Sequence, residues 1–372
     1  MKNDGPLAGI NNFFKQLLAK KIVDVLLVPQ DTPAKTSVVQ TLVRAEGQIV
    51  SANPFAPLLL MNSATLVGQL TVDKPKERVG AVMRSCEVRA VIELAKLKQV
   101  NIDNLVIIGV DCLGTYEPNT YQEIVPKFKD NKALTMDFLS EGKKPGMDAS
   151  GQDKLRLACR WCEYPNPENT DIAINFLGCD INKEIFIQFS EKIDKINPEG
   201  LGLLPADDIS KWQEASRLCR DERTKVRDRL FEEALNLLKD AKDLVKELGR
   251  CRRCYNCRRA CPICYCRACI FDTVLFEHNY RQYFQWAAKK GKIRMPTDTL
   301  LYHLTRMNHM IVSCVGCGQC TSACPNNIPV AKFFKTIGAK VQALFDYKPG
   351  RSVEEEIPQA TFKEDEFREV GK

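Results

Sequence analysis

Apolar positions in the first half of the chain fall into short, nearly unbroken runs, whereas many in the second half recur every three or four residues. Ile22–Val28 (IVDVLLV) and Leu105–Val110 (LVIIGV) suit strands buried on both faces. Val38–Val43 (VVQTLV) reads as another strand, and a helix over about 11–20 precedes the first. Residues 78–83 (RVGAVM) form a strand that passes through Arg84-Ser85-Cys86 into an amphipathic helix over about 87–98. A strand, a helix and a strand in that order imply a right-handed parallel crossover. The loops at the two strand ends then lie side by side, which makes neighbours of Cys86 and Cys112. A further strand is expected in 171–178 (DIAINFLG), shortly after Cys159-Arg160-Trp161-Cys162.

Helical spacing takes over beyond residue 220. Val226, Leu230, Ala234, Leu237 and Leu244 mark a charged helix over 221–248 that closes at Gly249, either a rigid spacer or a docking face. Phe271, Val274, Leu275 and His278 suggest one later helix, and Leu300, Leu304, Met307 and Ile311 another, with Pro296 breaking the chain between them. After Tyr347-Lys348-Pro349-Gly350 the chain turns acidic, with Glu354-Glu355-Glu356, and reads as a tail that stays mobile or extends over a partner. The expected organisation is an α/β domain over 1–220, a linker helix over 221–249, an all-α domain over 250–346 and a flexible tail over 347–372.

With 44% hydrophobic and 27% charged residues in 372, the composition is that of a soluble globular protein of two or three domains. No apolar run approaches the roughly 18 residues of a membrane span, and residues 1–5 do not resemble the start of a secretory signal. A cytoplasmic location is expected, where the 17 cysteines favour metal ligation over disulfides. The net charge of +7 is modest, and without aromatic interleaving or a recognition motif it does not point to nucleic acid.

The cysteines carry the chemistry. Cys251-x-x-Cys254-x-x-Cys257-x-x-x-Cys261-Pro262 is repeated as Cys314-x-x-Cys317-x-x-Cys320-x-x-x-Cys324-Pro325. That spacing suits 4Fe-4S clusters: three thiolates on one loop take three iron corners, and the fourth serves the other cluster. The expected sets are Cys251, Cys254, Cys257 and Cys324, and Cys314, Cys317, Cys320 and Cys261. The proline after each fourth cysteine is expected to start a helix leading away from its own loop. Zinc needs four ligands per site and leaves the doubled register unexplained. Arg250, Arg252, Arg253, Arg258, Arg259 and Arg267 are interleaved with or flank the first run, where guanidinium groups offset cluster charge. Cys264, Cys266 and Cys269 exceed what two clusters need; they either pack, replace a ligand or contribute to a site shared with another subunit.

On these motifs residues 240–345 resemble the α-helical ferredoxin domains of succinate dehydrogenase iron-sulfur subunits and of the small heterodisulfide reductase subunit. Residues 10–220, with Met83-Arg84-Ser85-Cys86, the strand ending at Asp111-Cys112 and Cys159-x-x-Cys162 before Asp171-Ile172-Ala173, resemble the flavin-containing beta subunits of deazaflavin-coenzyme hydrogenases and formate dehydrogenases. This chain departs from that family in the residues before Cys86 and in the order at 171–173. The resemblance implies a third 4Fe-4S cluster on Cys86, Cys112, Cys159 and Cys162, with Cys179 as a possible substitute and Cys219 left to packing. It also implies FAD, which converts a hydride into the single electrons that clusters accept. No Gly-x-Gly-x-x-Gly or Walker loop is present, so flavin contacts are sought in Asn62, Ser63, Thr65, Arg84 and Ser85. Asn62, Ser63 and Thr65 also read as ordinary turn residues. The implied function is an oxidoreductase subunit that passes electrons between a hydride carrier, the deazaflavin coenzyme F-420 or NAD(P)H, and a heterodisulfide reductase, formate dehydrogenase or hydrogenase partner. The alternative is a ferredoxin-like adaptor without flavin.

Overall fold

The computed structural model describes residues 5–73, 75–141, 154–193, 199–206, 208–237, 239–277, 279–292 and 298–361. Its N-terminal part is a six-stranded sheet in the order β2-β1-β3-β4-β5-β6. The strands are β1 (Val25–Asp31), β2 (Val38–Val43), β3 (Val79–Arg84), β4 (Leu105–Val110), β5 (Ile172–Asn175) and β6 (Phe186–Phe189). Neighbours from β1 through β5 pair in parallel, and the two edge strands are antiparallel. Every residue of β3 and β4 is buried, as continuous apolar runs require when both faces are covered. Helix α1 (Gly5–Ala19) brings Ile10, Phe13, Phe14 and Leu17 to one core. Helices α2 (Ala64–Thr71) and α3 (Ser85–Lys96) contribute to the other.

Several expected bounds move. The first strand starts at Val25, not Ile22, because 20–24 form a turn in which the Val23 amide bonds back to Leu17. Helix α3 begins at Ser85, immediately after β3, with the Arg84 amide donating to the Glu87 carboxylate at 2.9 Å. Cys86 therefore sits in the first turn of α3, and Cys112 lies just beyond the end of β4, as the crossover argument required.

Three helices lie within the connection from β4 to β5, and two more lead from the sheet to the cysteine-rich part. These are α4 (Pro118–Ile124), α5 (Asn131–Glu141), α6 (Leu157–Arg160), α7 (Ser210–Leu237) and α8 (Ala241–Leu248). The expected single linker helix over 221–249 is two helices, and the first begins eleven residues before 221, within the expected α/β domain. Asp240 caps the second, its carboxylate accepting the Lys242 amide at 2.8 Å. The C-terminal part is helical: α9 (Asn256–Arg259), α10 (Tyr280–Lys290), α11 (Asp298–Met310), α12 (Gln319–Ser322) and α13 (Val330–Leu344).

Three expectations fail here. Phe271, Val274 and Leu275 lie not on a helix but on 3-10 turns at Ile270–Asp272 and Val274–Phe276, since Phe271 turns inward while the other two stay exposed; residue 278 is outside the described residues. Neither Cys-Pro step opens a helix. Pro262 leads into a turn, and the helix after Cys324 waits until Val330. The segment from Tyr347 to Thr361 is no free tail, because the fully buried carboxylate of Glu93 needs partners and this segment provides them. The Tyr347 hydroxyl and the Gly350 amide donate to Glu93 at 2.6 and 2.8 Å, and Arg89 donates to the Pro349 carbonyl at 2.9 Å. Residues 362–372 lie outside the described residues. One apolar core runs from α3 through Met310, Val315, Ile328 and Phe334, so the two parts share their packing.

Candidate metal centres

The two cysteine runs fold alike. Each places its third cysteine in a single helical turn, Cys257 in α9 and Cys320 in α12, after residues in the left-handed region. The fourth cysteine leaves its own loop. One cavity is lined by Cys251, Cys254, Cys257 and Cys324, with Tyr302 and His303 beside them. A second is lined by Cys261, Cys314, Cys317 and Cys320, with Arg306 and Phe334. Each cavity thus draws three thiols from one run and the fourth from the other. Among the described residues no three of His, Cys, Asp and Glu converge tightly enough to hold a single ion. A four-iron cluster, with its ligands on separate corners, calls for a wider ring.

Cys86, Cys112, Cys159 and Cys162 form a third group. Charge on Cys112 and Cys162 acts on Cys86, and charge on Cys159 acts on both Cys112 and Cys162. The Gly114 amide donates to Cys112 Sγ at 3.3 Å, and Thr115 Oγ1 lies 3.5 Å from Cys159 Sγ. Cys317 also acts on Cys86, so the third group adjoins the second cavity.

Burial dominates the thiol chemistry. It pushes Cys317 up to about 12 and Cys112 and Cys264 up to about 11. Thiols so placed stay neutral unless a cationic centre takes the proton's place, which is the demand that metal ligation meets. Buried guanidinium groups sit where that charge would collect. Arg306 donates to Cys257 Sγ and to the Cys257 carbonyl, each at 3.2 Å. Burial opposes its charge, but Cys257, Cys261, Tyr302 and Cys320 around it together outweigh burial and raise its pKa. The Tyr302 hydroxyl lies 3.2 Å from the same sulfur. At the third group Arg223 donates to the Cys112 carbonyl at 3.3 Å.

Arg306 was not among the arginines singled out in the sequence, since nothing in its neighbourhood along the chain signals sulfur. Three of those that were find carboxylates instead: Arg253 binds Asp298, Arg258 binds Asp272, and Arg250 reaches Glu247 at 3.2 Å. His303 also went unnoticed. It is buried beside the first cavity with neither ring nitrogen bonded among the described residues, and burial lowers its pKa to about 4. Cys264 lies half-buried near Cys261, Cys269 packs against Phe271 and Tyr302, and Cys266 is exposed. Cys179 is buried after β5, its thiol 3.6 Å from the Leu177 carbonyl. Cys219 lies on α7 and supports the charge of Arg223.

A further cavity opens at the C-terminal ends of β3 and β4, lined by Val38, Gln40, Leu59, Met83, Arg84 and Glu87 among others. Of the five residues sought as flavin contacts, only Arg84 lines it. Asn62 instead holds the Ala64 amide at 3.0 Å, Ser63 bonds to Glu87, and Thr65 is half-buried on α2. Arg84 Nη1 and Ser85 Oγ are buried without a partner among the described residues. Unmatched polar atoms beside an apolar cavity suit a ligand with a flat apolar body and polar edges.

Residues 247–328 match a family model described as a 4Fe-4S dicluster domain. The chain is 27% identical over 366 residues to the F420-dependent formate dehydrogenase subunit beta of Methanocaldococcus jannaschii, covering 92% of this chain and 91% of that one. It is 28% identical over 386 residues to the F420-dependent formate dehydrogenase 1 subunit beta of Methanococcus maripaludis, covering 94% of this chain and 92% of that one. A solved structure of the F420-reducing [NiFe] hydrogenase complex from Methanosarcina barkeri, derivatized with xenon, aligns with a TM-score of 0.45 at 11% identity, covering 61% of this chain and 86% of that one. That last likeness is too remote to decide anything. The dicluster match and the two relatives support the beta-subunit family indicated by the cysteine motifs. Among the described residues no helix is long and apolar enough to cross a membrane.

Proposed function

We propose that the chain is the electron-transfer subunit of a deazaflavin-coenzyme or NAD(P)H-dependent oxidoreductase complex, of the formate dehydrogenase, hydrogenase or heterodisulfide reductase kind. It would hold three 4Fe-4S clusters and FAD. The observation that carries this reading is the pair of cavities, each lined by four cysteines drawn from both runs. When bound, the flavin would supply the change from hydride to single electrons, and the clusters one-electron steps.

The chain's own residues do the rest. The three cysteine groups would hold successive sites with the second cavity in the middle, a reading supported by the packing of Gly318 on Ala158 beside Cys159. Arg306 and Arg223 offset thiolate charge at buried positions where water cannot. Arg84 offers an unpaired donor to a ligand in the cavity beyond β3. Gln319 donates to the Leu59 carbonyl at 3.2 Å, tying the second loop to that cavity's wall.

Iron and flavin analysis after anaerobic purification tests the reading. About twelve irons per chain are expected from three four-iron clusters, with one flavin. About eight irons would remove the N-terminal cluster, and absence of flavin would favour the adaptor.

A further inference from the structure

The segment between the two cysteine runs carries a surface that the relay itself does not use. Ile270, Val274, Leu275, Tyr280 and Phe284 are 55%, 83%, 66%, 65% and 63% exposed. Helix α10 buries none of its side chains. Large apolar side chains exposed within one short stretch of chain, with the Tyr280 and Phe284 rings 6.4 Å apart, mark a surface that something else covers. The same stretch carries exposed Arg267, Arg281, Lys289, Lys290 and Lys292. Against these stand Asp272, already held by Arg258, and Glu277.

The surface also lies close to a redox site. Phe271, next to Ile270 in this stretch, is buried with Cys257 and Tyr302, its ring 4.9 Å from that of Tyr302 and perpendicular to it at 89°. The Tyr302 hydroxyl in turn reaches Cys257 Sγ at 3.2 Å. Two aromatic rings thus separate the patch from the cavity of Cys251, Cys254, Cys257 and Cys324, where Cys254 is itself exposed. Electron exchange between proteins weakens steeply with distance, so a partner must seat over an outward-facing site.

We propose that the 265–292 face is the docking surface for an acidic redox subunit that exchanges electrons with this outer cavity. The inference rests on the relay reading above and adds to it the place and charge of the partner. Exposed apolar side chains in one stretch with cations for which no ion pair is found among the described residues fit an interface whose opposite face is apolar with a carboxylate rim. The cations steer a negatively charged partner during approach.

Amide hydrogen exchange on the complex, purified anaerobically through a tag on this chain, tests the inference. Amides over 270–290 should exchange at least about tenfold more slowly in the complex than in the isolated chain. The double variant Leu275→Asp, Phe284→Asp should keep its iron content and paramagnetic signals but no longer bring down a subunit of net negative charge. The proposal is overturned if a complex forms with 270–290 unprotected, or if the double variant retains the partner. It is also overturned if only phosphatidylglycerol vesicles, and no protein, protect the stretch. Recovery of neither clusters nor a complex would instead bring down the relay reading, a different result from a complex assembled through another face.

Discussion

The two cysteine runs share one spacing and one backbone course, yet they differ at the two positions where that course is hardest to follow. In the first run Arg253 and Tyr255 adopt φ of 55° and 59°; in the second the same positions are Gly316 and Gly318, at 71° and 77°. For a residue with a Cβ the left-handed region costs about 1–2 kcal/mol, so glycine is the cheaper choice for the loop alone. The first run accepts that cost because its side chains have partners. Arg253 binds Asp298 and Tyr283, and the Tyr255 ring lies 4.9 Å from Tyr302. The second run has no such freedom. A Cβ on Gly318 would stand 2.3 Å from that of Ala158, next to Cys159, and one on Gly316 would stand 3.0 Å from Lys335 Cδ. One loop faces the insert and the outside, and the other is pressed against the N-terminal domain and its cysteines.

The largest effect would come from breaking the exchange of fourth ligands between the runs. Cys324→Ser should abolish the paramagnetic signal of the site held by Cys251, Cys254 and Cys257, although Cys324 belongs to the other run. The site of Cys314, Cys317 and Cys320 should survive, with Cys254→Ser and Cys317→Ser controls assigning the two signals. Loss of the Cys317-linked signal alone would mean that each run closes its own site.

A smaller but still substantial effect is expected at the point of contact. Gly318→Val combines the left-handed penalty with overpacking of about 1–3 kcal/mol against Ala158, for a total of about 2–5 kcal/mol. Anaerobic thermal unfolding should show a clearly lowered midpoint. Electron exchange between the N-terminal site and the second cavity should slow more than exchange between the two C-terminal sites. Equal slowing of both would mean that Gly318 serves its own loop and not the contact between domains.

How much of this was legible in the sequence depends on how local each signal was. The strands Val38–Val43 and Leu105–Val110 were found to the residue, because a short run rich in β-branched and aliphatic residues is a local property. The cysteine sets that line the two cavities followed from spacing, although the helix starts expected at the prolines did not occur. Arg306 and His303 were missed because their meaning comes only from α11 crossing above the first loop. The pattern at Phe271, Val274 and Leu275 misled because one of these residues is buried under Tyr302 and the other two belong to an exposed patch. Period alone cannot separate a core-facing stripe from a surface kept apolar for a partner. Strand β6, half-exposed at the sheet edge, was not expected, although Phe186, Ile187 and Phe189 are strand-forming residues, because four residues are too short a run to stand out.

The finest test of the comparison is Tyr255→Gly, which gives the first run the residue found in the second. Relief of the left-handed backbone favours the variant by about 1–2 kcal/mol. Against it stand the added freedom of glycine in the unfolded chain, about 0.5–1 kcal/mol, and the loss of aromatic contacts to Tyr302 and Phe271, at about 0.5–1.5 kcal/mol for each well-formed pair. The costs sum to about 1.5–4 kcal/mol against a gain of about 1–2, so the unfolding midpoint should fall modestly, by less than for Gly318→Val. The spectroscopic consequence should be the more visible one. Tyr255 packs on the ring whose hydroxyl reaches Cys257 Sγ, so its removal should loosen that contact and shift the midpoint potential of the outer site while leaving the inner site unchanged. A stability loss as large as that of Gly318→Val would show that the tyrosine holds the fold together. A shift at the inner site would show that the two loops are not insulated from each other.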